Sequence, residues 1–328
     1  MKCGLKISST LFRKEKNKVF PYSYLPLIHF NINEMINYFF RFMFLLLFMT
    51  GDYRGGLMAQ QLNVMSYNIR YANPRDSSNY WDFRKDNLAS MLKYYEVDLC
   101  GMQEALIGQI KDLETLLPEY DYVGKGRGDG KEDGEFSPIF YRKHNFILIE
   151  TNTFWLSLTP DTPSKGWDAN LNRVVTWAKF KSVNKKSTFY FFNTHFDHLG
   201  PMARRESSTL LLKKIKEIAG DERVIVTGDF NATPDQEPIK IILEPTDPNR
   251  LYDTEFLSVT LHFGPFSTFN NFEFKEQEGR HIDYIFLKNH QRIQVLNHAT
   301  LTNSWNGKFA SDHHAVLATL KFGRSGKK

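Results

Sequence analysis

Residues 223–235 read RVIVTGDFNATPD, and this stretch decides the architecture. Arg223–Thr227 (RVIVT) has no polar alternation, the pattern of a short strand buried on both faces. It ends at Gly228, and Asp229 and Asn231 follow at once, so an acid and an amide sit at the end of a central strand. Upstream, Thr188–Asn193 (TFYFFN) reads as another central strand by its aromatic content, with His195 just beyond it. Between them Pro201–Ile218 has an amphipathic helical pattern with proline near its start. Further out, Leu62–Ile69 (LNVMSYNI) alternates with period two and predicts a strand. Phe83, Leu88, Met91, Leu92 and Tyr95 recur at helical spacing over Asp82–Tyr95, and Ile107–Leu117 predicts a second helix stopped by Pro118. Strands are predicted over Asp98–Met102, Phe136–Tyr141, Phe146–Trp155, Val174–Ser182, Ile282–Leu287 and Ala315–Leu320. Helices and strands are mixed without strict alternation. The class is therefore α/β with antiparallel pairs: two sheets with helices outside.

Composition narrows the function. The chain has 328 residues, 41% hydrophobic and 24% charged, enough for a sizeable core. Cys3 and Cys100 are the only cysteines, which excludes a disulfide scaffold and a Cys-rich zinc site. Cys100 lies in an apolar strand and reads as core. The net charge of +5 belongs to residues 1–59, which hold eight bases and three acids; residues 60–328 are neutral. A neutral body argues against a protein that lives on nucleic acid through phosphate contacts.

Phe42–Met49 (FMFLLLFM) is too short to span a bilayer but fits the apolar middle of a secretory signal, with Arg41 before it and cleavage expected between Ala59 and Gln60. Met35 reads as the start of that signal, and no cysteine follows it to carry a lipid. The expected organisation is an extension over 1–59, a single domain over 60–323 and a tail over 324–328, with export to the periplasm or the cell exterior. The glycine- and charge-rich stretch 124–135 (GKGRGDGKEDGE) is expected to be a mobile loop bordering a site.

Polar residues share one address. Asn68 ends the first strand, Glu104 follows Asp98–Met102, His195 follows TFYFFNT, and Asp229 and Asn231 follow VIVTG. Asp283 sits inside RHIDYIFL, and Asp312 and His313 precede AVLATL. Strand ends of one sheet converge, so these side chains are expected in one pocket. Carboxylates and an amide without cysteine form an oxygen-rich set, which suits Mg²⁺ or Mn²⁺ rather than zinc. No P-loop, H-E-x-x-H or G-x-S-x-G pattern occurs.

The segments SYNIR (66–70), MQE (102–104), NTHFDH (193–198), TGDFNATPD (227–235), IDYIF (282–286) and SDHH (311–314), in this order, resemble the endonuclease/exonuclease/phosphatase superfamily with its deoxyribonuclease I-like fold. The resemblance covers roughly 62–321, and residues 153–180 are similar to an exported bacterial branch. It implies a four-layer α/β sandwich, two mixed sheets packed face to face with helices outside, and a divalent-metal phosphoesterase. It implies Glu104 as principal Mg²⁺ ligand, Asn68 beside it orienting metal or phosphate, and Asp312 as a further metal-side carboxylate. Asp229 would activate water and Asn231 would hold the phosphate and Asp229. His195 would donate to a phosphate oxygen, and His313, its ring fixed by Asp283, would stabilise the transition state. Arg173, in the shared bacterial segment, suits bidentate phosphate contact. His198, His314, Trp155, Trp167 and Trp177 read as structural.

The resemblance implies a phosphate-ester substrate: a nucleic acid, a phospholipid head group or a phosphorylated sugar. The alternatives are a nuclease of the deadenylase-like branch, to which TGDFNATPD is similar, and a non-catalytic binding module on the same fold. No protein partner is implied, and a monomer is expected.

Overall fold

The computed structural model describes residues 61–183 and 187–323. The signal segment, the cleavage position after Ala59 and the tail over 324–328 lie outside the described residues. The strands are β1 (Gln61–Asn68), β2 (Leu99–Gln103), β3 (Tyr120–Val123), β4 (Ile139–Arg142), β5 (Phe146–Trp155), β6 (Val174–Ser182), β7 (Thr188–His195), β8 (Val224–Asp229), β9 (Tyr252–Asp253), β10 (Asp283–Lys288), β11 (Ile293–Leu301), β12 (Ser304–Trp305), β13 (Lys308–Phe309) and β14 (Ala315–Phe322). The helices are α1 (Lys85–Tyr94), α2 (Ile107–Leu116), α3 (Pro201–Ala219), α4 (Glu237–Leu243) and α5 (Thr254–Leu257).

Two six-stranded sheets form, ordered β11-β14-β1-β2-β4-β3 and β5-β6-β7-β8-β10-β9. Each has one parallel pair near its middle, β1/β2 and β7/β8, and is otherwise antiparallel. Period-two alternation divides each strand between two layers. Leu62, Val64, Leu99, Phe189, Phe191, Ile225, Ile285 and Val316 meet between the sheets. Met65, Tyr67, Leu88, Met91 and Ile110 pack the first sheet on α1 and α2. Phe192, Val226, Leu211, Ile215 and Ile239 pack the second on α3 and α4. The expected four-layer sandwich is thus present.

The differences from the sequence reading have local causes. Phe83 falls in a 3-10 turn before α1 and is 69% exposed, so it is not on the buried face. The strand predicted over Phe136–Tyr141 is only Ile139–Arg142, with Phe136 making an isolated bridge to Ala105. Strands β3 and β11 and helix α4 were not predicted. Stretch 124–135 is a folded loop: the backbone N–H groups of Gly126, Arg127 and Gly128 donate to the carbonyls of Lys131, Glu135 and Asp133, and Arg127 pairs with Glu135 at 2.8 Å.

Candidate active site

The layer between the sheets changes character at one end. On the inner positions of β1, Leu62 and Val64 are followed by Ser66 and Asn68; on β7, Phe189 and Phe191 by Asn193 and His195; on β8, Ile225 by Thr227 and Asp229. The alternation that builds the core therefore carries the site as well. The sheets approach closely here: a Cβ on Gly101 would collide with Thr227 Oγ1 and Asn193 Oδ1. A buried polar floor joins them. Gln103 Nε2 and Thr227 Oγ1 donate to Asn193 Oδ1 at 2.7 and 3.0 Å, and Asn193 Nδ2 donates to Met102 O at 2.6 Å.

Above this floor lies a cavity of about 570 Å³. Glu104, His195, Asp229, Asn231, Asp312, His313 and Arg173 all line it. Asn68 and Asp283 do not; both are fully buried behind the wall. Asn68 lies beside Glu104. Its Nδ2 donates to Glu104 Oε1 at 3.2 Å and to Asp229 Oδ2 at 3.0 Å, so it spaces the two carboxylates. Tyr71 N donates to Glu104 Oε2, and Asn231 N to Asp229 Oδ1. Arg70, Glu104 and Asn231 have φ of 56°, 63° and 46°. Left-handed backbone costs a non-glycine residue roughly 1–3 kcal/mol and gathers at working sites.

His313 Nδ1 donates to Asp283 Oδ2 at 2.9 Å, and its Nε2 lies 3.9 Å from Asp229 Oδ2. Burial opposes a charge on this ring, but the Asp283 carboxylate outweighs it and lifts the pKa to about 10. His313 is therefore an imidazolium at neutral pH. Burial, then the charge of Asp283, raises Asp229 to about 7. His195 is the reverse case: burial, then the charge of Arg173, holds it well below its ordinary value. Asn231 Nδ2 can only donate, so His195 Nε2, 3.0 Å away, accepts. His195 Nε2 also lies 3.4 Å from Asp229 Oδ2, and Nδ1 is buried without a partner.

Arg173 stands apart from the carboxylates. Its Nε donates to Asp197 Oδ2 at 3.3 Å and its Nη2 to His198 Nδ1 at 2.9 Å, while Nη1 is buried without a partner. His198, read as structural, lines the cavity, as do Arg70, Glu135 and Arg280, which were not predicted. Arg70 follows Asn68 by two residues within SYNIR, and that proximity was the available signal. Trp155 and Trp177 are core, as read.

The Glu104 carboxylate receives only amide donors, and with Asp312 and Asp229 it offers an oxygen-only set that fits a hard divalent ion. Asp229, Asp283 and His313 also place one ligating atom each within 4.8 Å, although Asp283 and His313 already share a hydrogen bond.

A profile of the Endonuclease/Exonuclease/phosphatase family matches residues 65–313. The chain belongs to this family. Among solved structures it is similar to a family member from Bacteroides thetaiotaomicron, at 38% identity and TM-score 0.76, covering 81% of this chain and 99% of that one. It is also similar to a mannosyl-6-phosphatase from Bacteroides thetaiotaomicron, at 39% identity and TM-score 0.75, covering 80% of this chain and 100% of that one. An uncharacterized protein of Acanthamoeba polyphaga mimivirus is 31% identical over 46% of this chain and 59% of its own length. The chain spans less than two thirds of the length of the curated relatives it matches. Members of this family are phosphoesterases and nucleases, which supports a hydrolase.

Proposed function

We propose that the protein is an exported, Mg²⁺-dependent phosphoesterase that hydrolyses a small phosphorylated sugar. The unpartnered Nη1 of Arg173, a residue that lines the same cavity as Asp229 and His313, carries this reading. A buried guanidinium N–H without an acceptor is matched by a phosphate oxygen. The similar mannosyl-6-phosphatase supports a sugar monoester. A cavity of about 570 Å³ suits a ligand of that size, and the neutral body offers no long phosphate-binding tract.

Glu104 and Asp312 would hold the ion, with Asn68 fixing Glu104 from behind. When bound, Mg²⁺ supplies charge neutralisation at the phosphoryl oxygens. Asp229, raised toward neutrality and held by Asn68 and Asn231, accepts the proton of the attacking water. His313, charged and oriented by Asp283, donates from Nε2 to oxygen as negative charge develops. Arg173 holds the phosphate from the opposite wall.

The test is release of phosphate from sugar 6-phosphates, with single-stranded RNA and a generic phosphodiester as competitors, in Mg²⁺ and in EDTA. Metal-dependent turnover of the monoester is expected. Preferred cleavage of RNA would favour the nuclease reading, and full activity after chelation would sink the metal assignment. Mass spectrometry of the native protein tests export, with a mature N-terminus at Gln60 expected.

A further inference from the structure

A second group of ligating side chains lies away from the cavity, where the segment after α5 runs beside the edge strand β11. Ser258 and Phe263 bridge in parallel to Val295 and Ala299. Phe263 N donates to His298 O at 3.1 Å, and Thr300 N donates to Phe263 O at 2.9 Å. This pairing brings His262 against His298, with their Nδ1 atoms 2.8 Å apart. His262 Nε2 lies 3.2 Å from the carbonyl of Pro265. A carbonyl only accepts, so Nε2 carries the hydrogen, and Nδ1 of His262 accepts from His298 Nδ1, a hydrogen bond that a bound ion would replace. A ligating imidazole has this arrangement, its second nitrogen oriented by a backbone carbonyl. His298 is 2% exposed, so its ring is held in place beside His262. Glu255, at the start of α5, completes the group: one ligating atom from each of Glu255, His262 and His298 lies within 4.8 Å of the others.

We propose that Glu255, His262 and His298 form a binding site for a transition-metal ion of the Zn²⁺ class, distinct from the oxygen-lined cavity. None of the three lines that cavity. Two imidazoles and one carboxylate select Zn²⁺, or its close relatives, over the hard ions that suit Glu104 and Asp312. Three protein ligands leave a fourth position for water. The ion ties segment 254–265 to β11. That segment carries exposed Phe256, Val259, Leu261 and Phe263 and makes only a few backbone bonds to the sheet edge. The site is therefore a staple for a stretch that buries little of its own apolar surface.

The experiment counts zinc by atomic emission in the full chain, dialysed against Zn²⁺ in a large excess of Mg²⁺, for wild type and His262→Gln. Wild type is expected to retain one more equivalent than the variant. Co²⁺ in place of Zn²⁺ should give visible bands of tetrahedral type that the variant lacks. Zn²⁺ should raise the melting temperature of wild type only. Should His262→Gln fail to fold, Glu255→Gln, which removes one partly exposed charge, is expected to weaken zinc binding about tenfold or more. Equal zinc content and affinity in wild type and a folded variant overturns the proposal. Hydrolysis in Mg²⁺ should stay within about twofold of wild type in His262→Gln, in line with surface changes remote from a site. Joint loss of zinc and turnover would place the ion in the catalytic cavity and overturn the proposal as well.

Discussion

The two ends of the layer between the sheets occupy equivalent strand positions yet do opposite work. At one end Leu62, Phe189 and Ile225 are apolar and make the sandwich stable. At the other, Asn68, His195 and Asp229 continue the same alternation as buried polar groups, which cost stability unless they are paired. Arg70, Glu104 and Asn231, at the second end, have left-handed backbone. One alternation therefore builds both a stabilising region and a strained, charged one, and the first holds the second in place.

The largest effect expected at the charged end is on turnover. His313→Ala should lower kcat by roughly 10²–10⁴-fold, the range for one positioned donor. Asp283→Asn should lower it through the same ring, and a double-mutant cycle should find the losses far from multiplicative. Independent, multiplying losses in a folded protein would break the pairing of Asp283 with His313. At the apolar end Phe189→Ala should cost about 3–5 kcal/mol in denaturant melts. Its kcat per folded molecule should stay near wild type, and a selective loss of kcat would erase the distinction between the ends.

Gly101→Ala sits at the boundary, where the new methyl meets Thr227 and Asn193. It should cost about 1–3 kcal/mol and also reduce kcat, because the floor beneath Asp229 must shift. An unchanged kcat would show that the floor does not position the acids. The smallest effect concerns pH. Burial raises Asp253 from 3.8 to about 7 in the fold, so between these values the unfolded chain loses a proton that the fold keeps. Its contribution is fully present below the lower value and declines as pH rises to the upper one. Asp253→Asn keeps the cap on Glu255 N and should abolish that decline. Its melting temperature, in chelator, should match wild type near about pH 4 and exceed it by a few degrees near about pH 8. A gain of equal size at both pH values would mean that Asp253 does not titrate between them.

The catalytic end was legible because its residues follow long apolar runs, whose ends sequence alone marks well. The run VIVTG points at Asp229, and TFYFFNT at His195. What was missed depends on chain reversal rather than periodicity. Arg280, Glu135 and His198 reach the cavity from loops, where no repeating pattern orients a side chain. Strand β11 was missed because the bulge between Val295 and Asn297 shifts its alternation midway. His195 was located by its strand, but its donor direction was not, because that depends on Asn231, a residue of another turn.

Strand β14 closes the first sheet by pairing with both β1 and β11. Asp312 and His313 precede it directly, while Arg70 and Tyr71 follow β1, so segments flanking the first and last strands of the described body share one cavity. Until Ala315–Phe322 joins the sheet, one edge of β1 therefore stays unpaired. Completion of the cavity wall and the sealing of a sticky edge therefore arrive together. Any chain that stops before Asp312 would lack part of the cavity lining and would also present an unpaired strand edge to its neighbours.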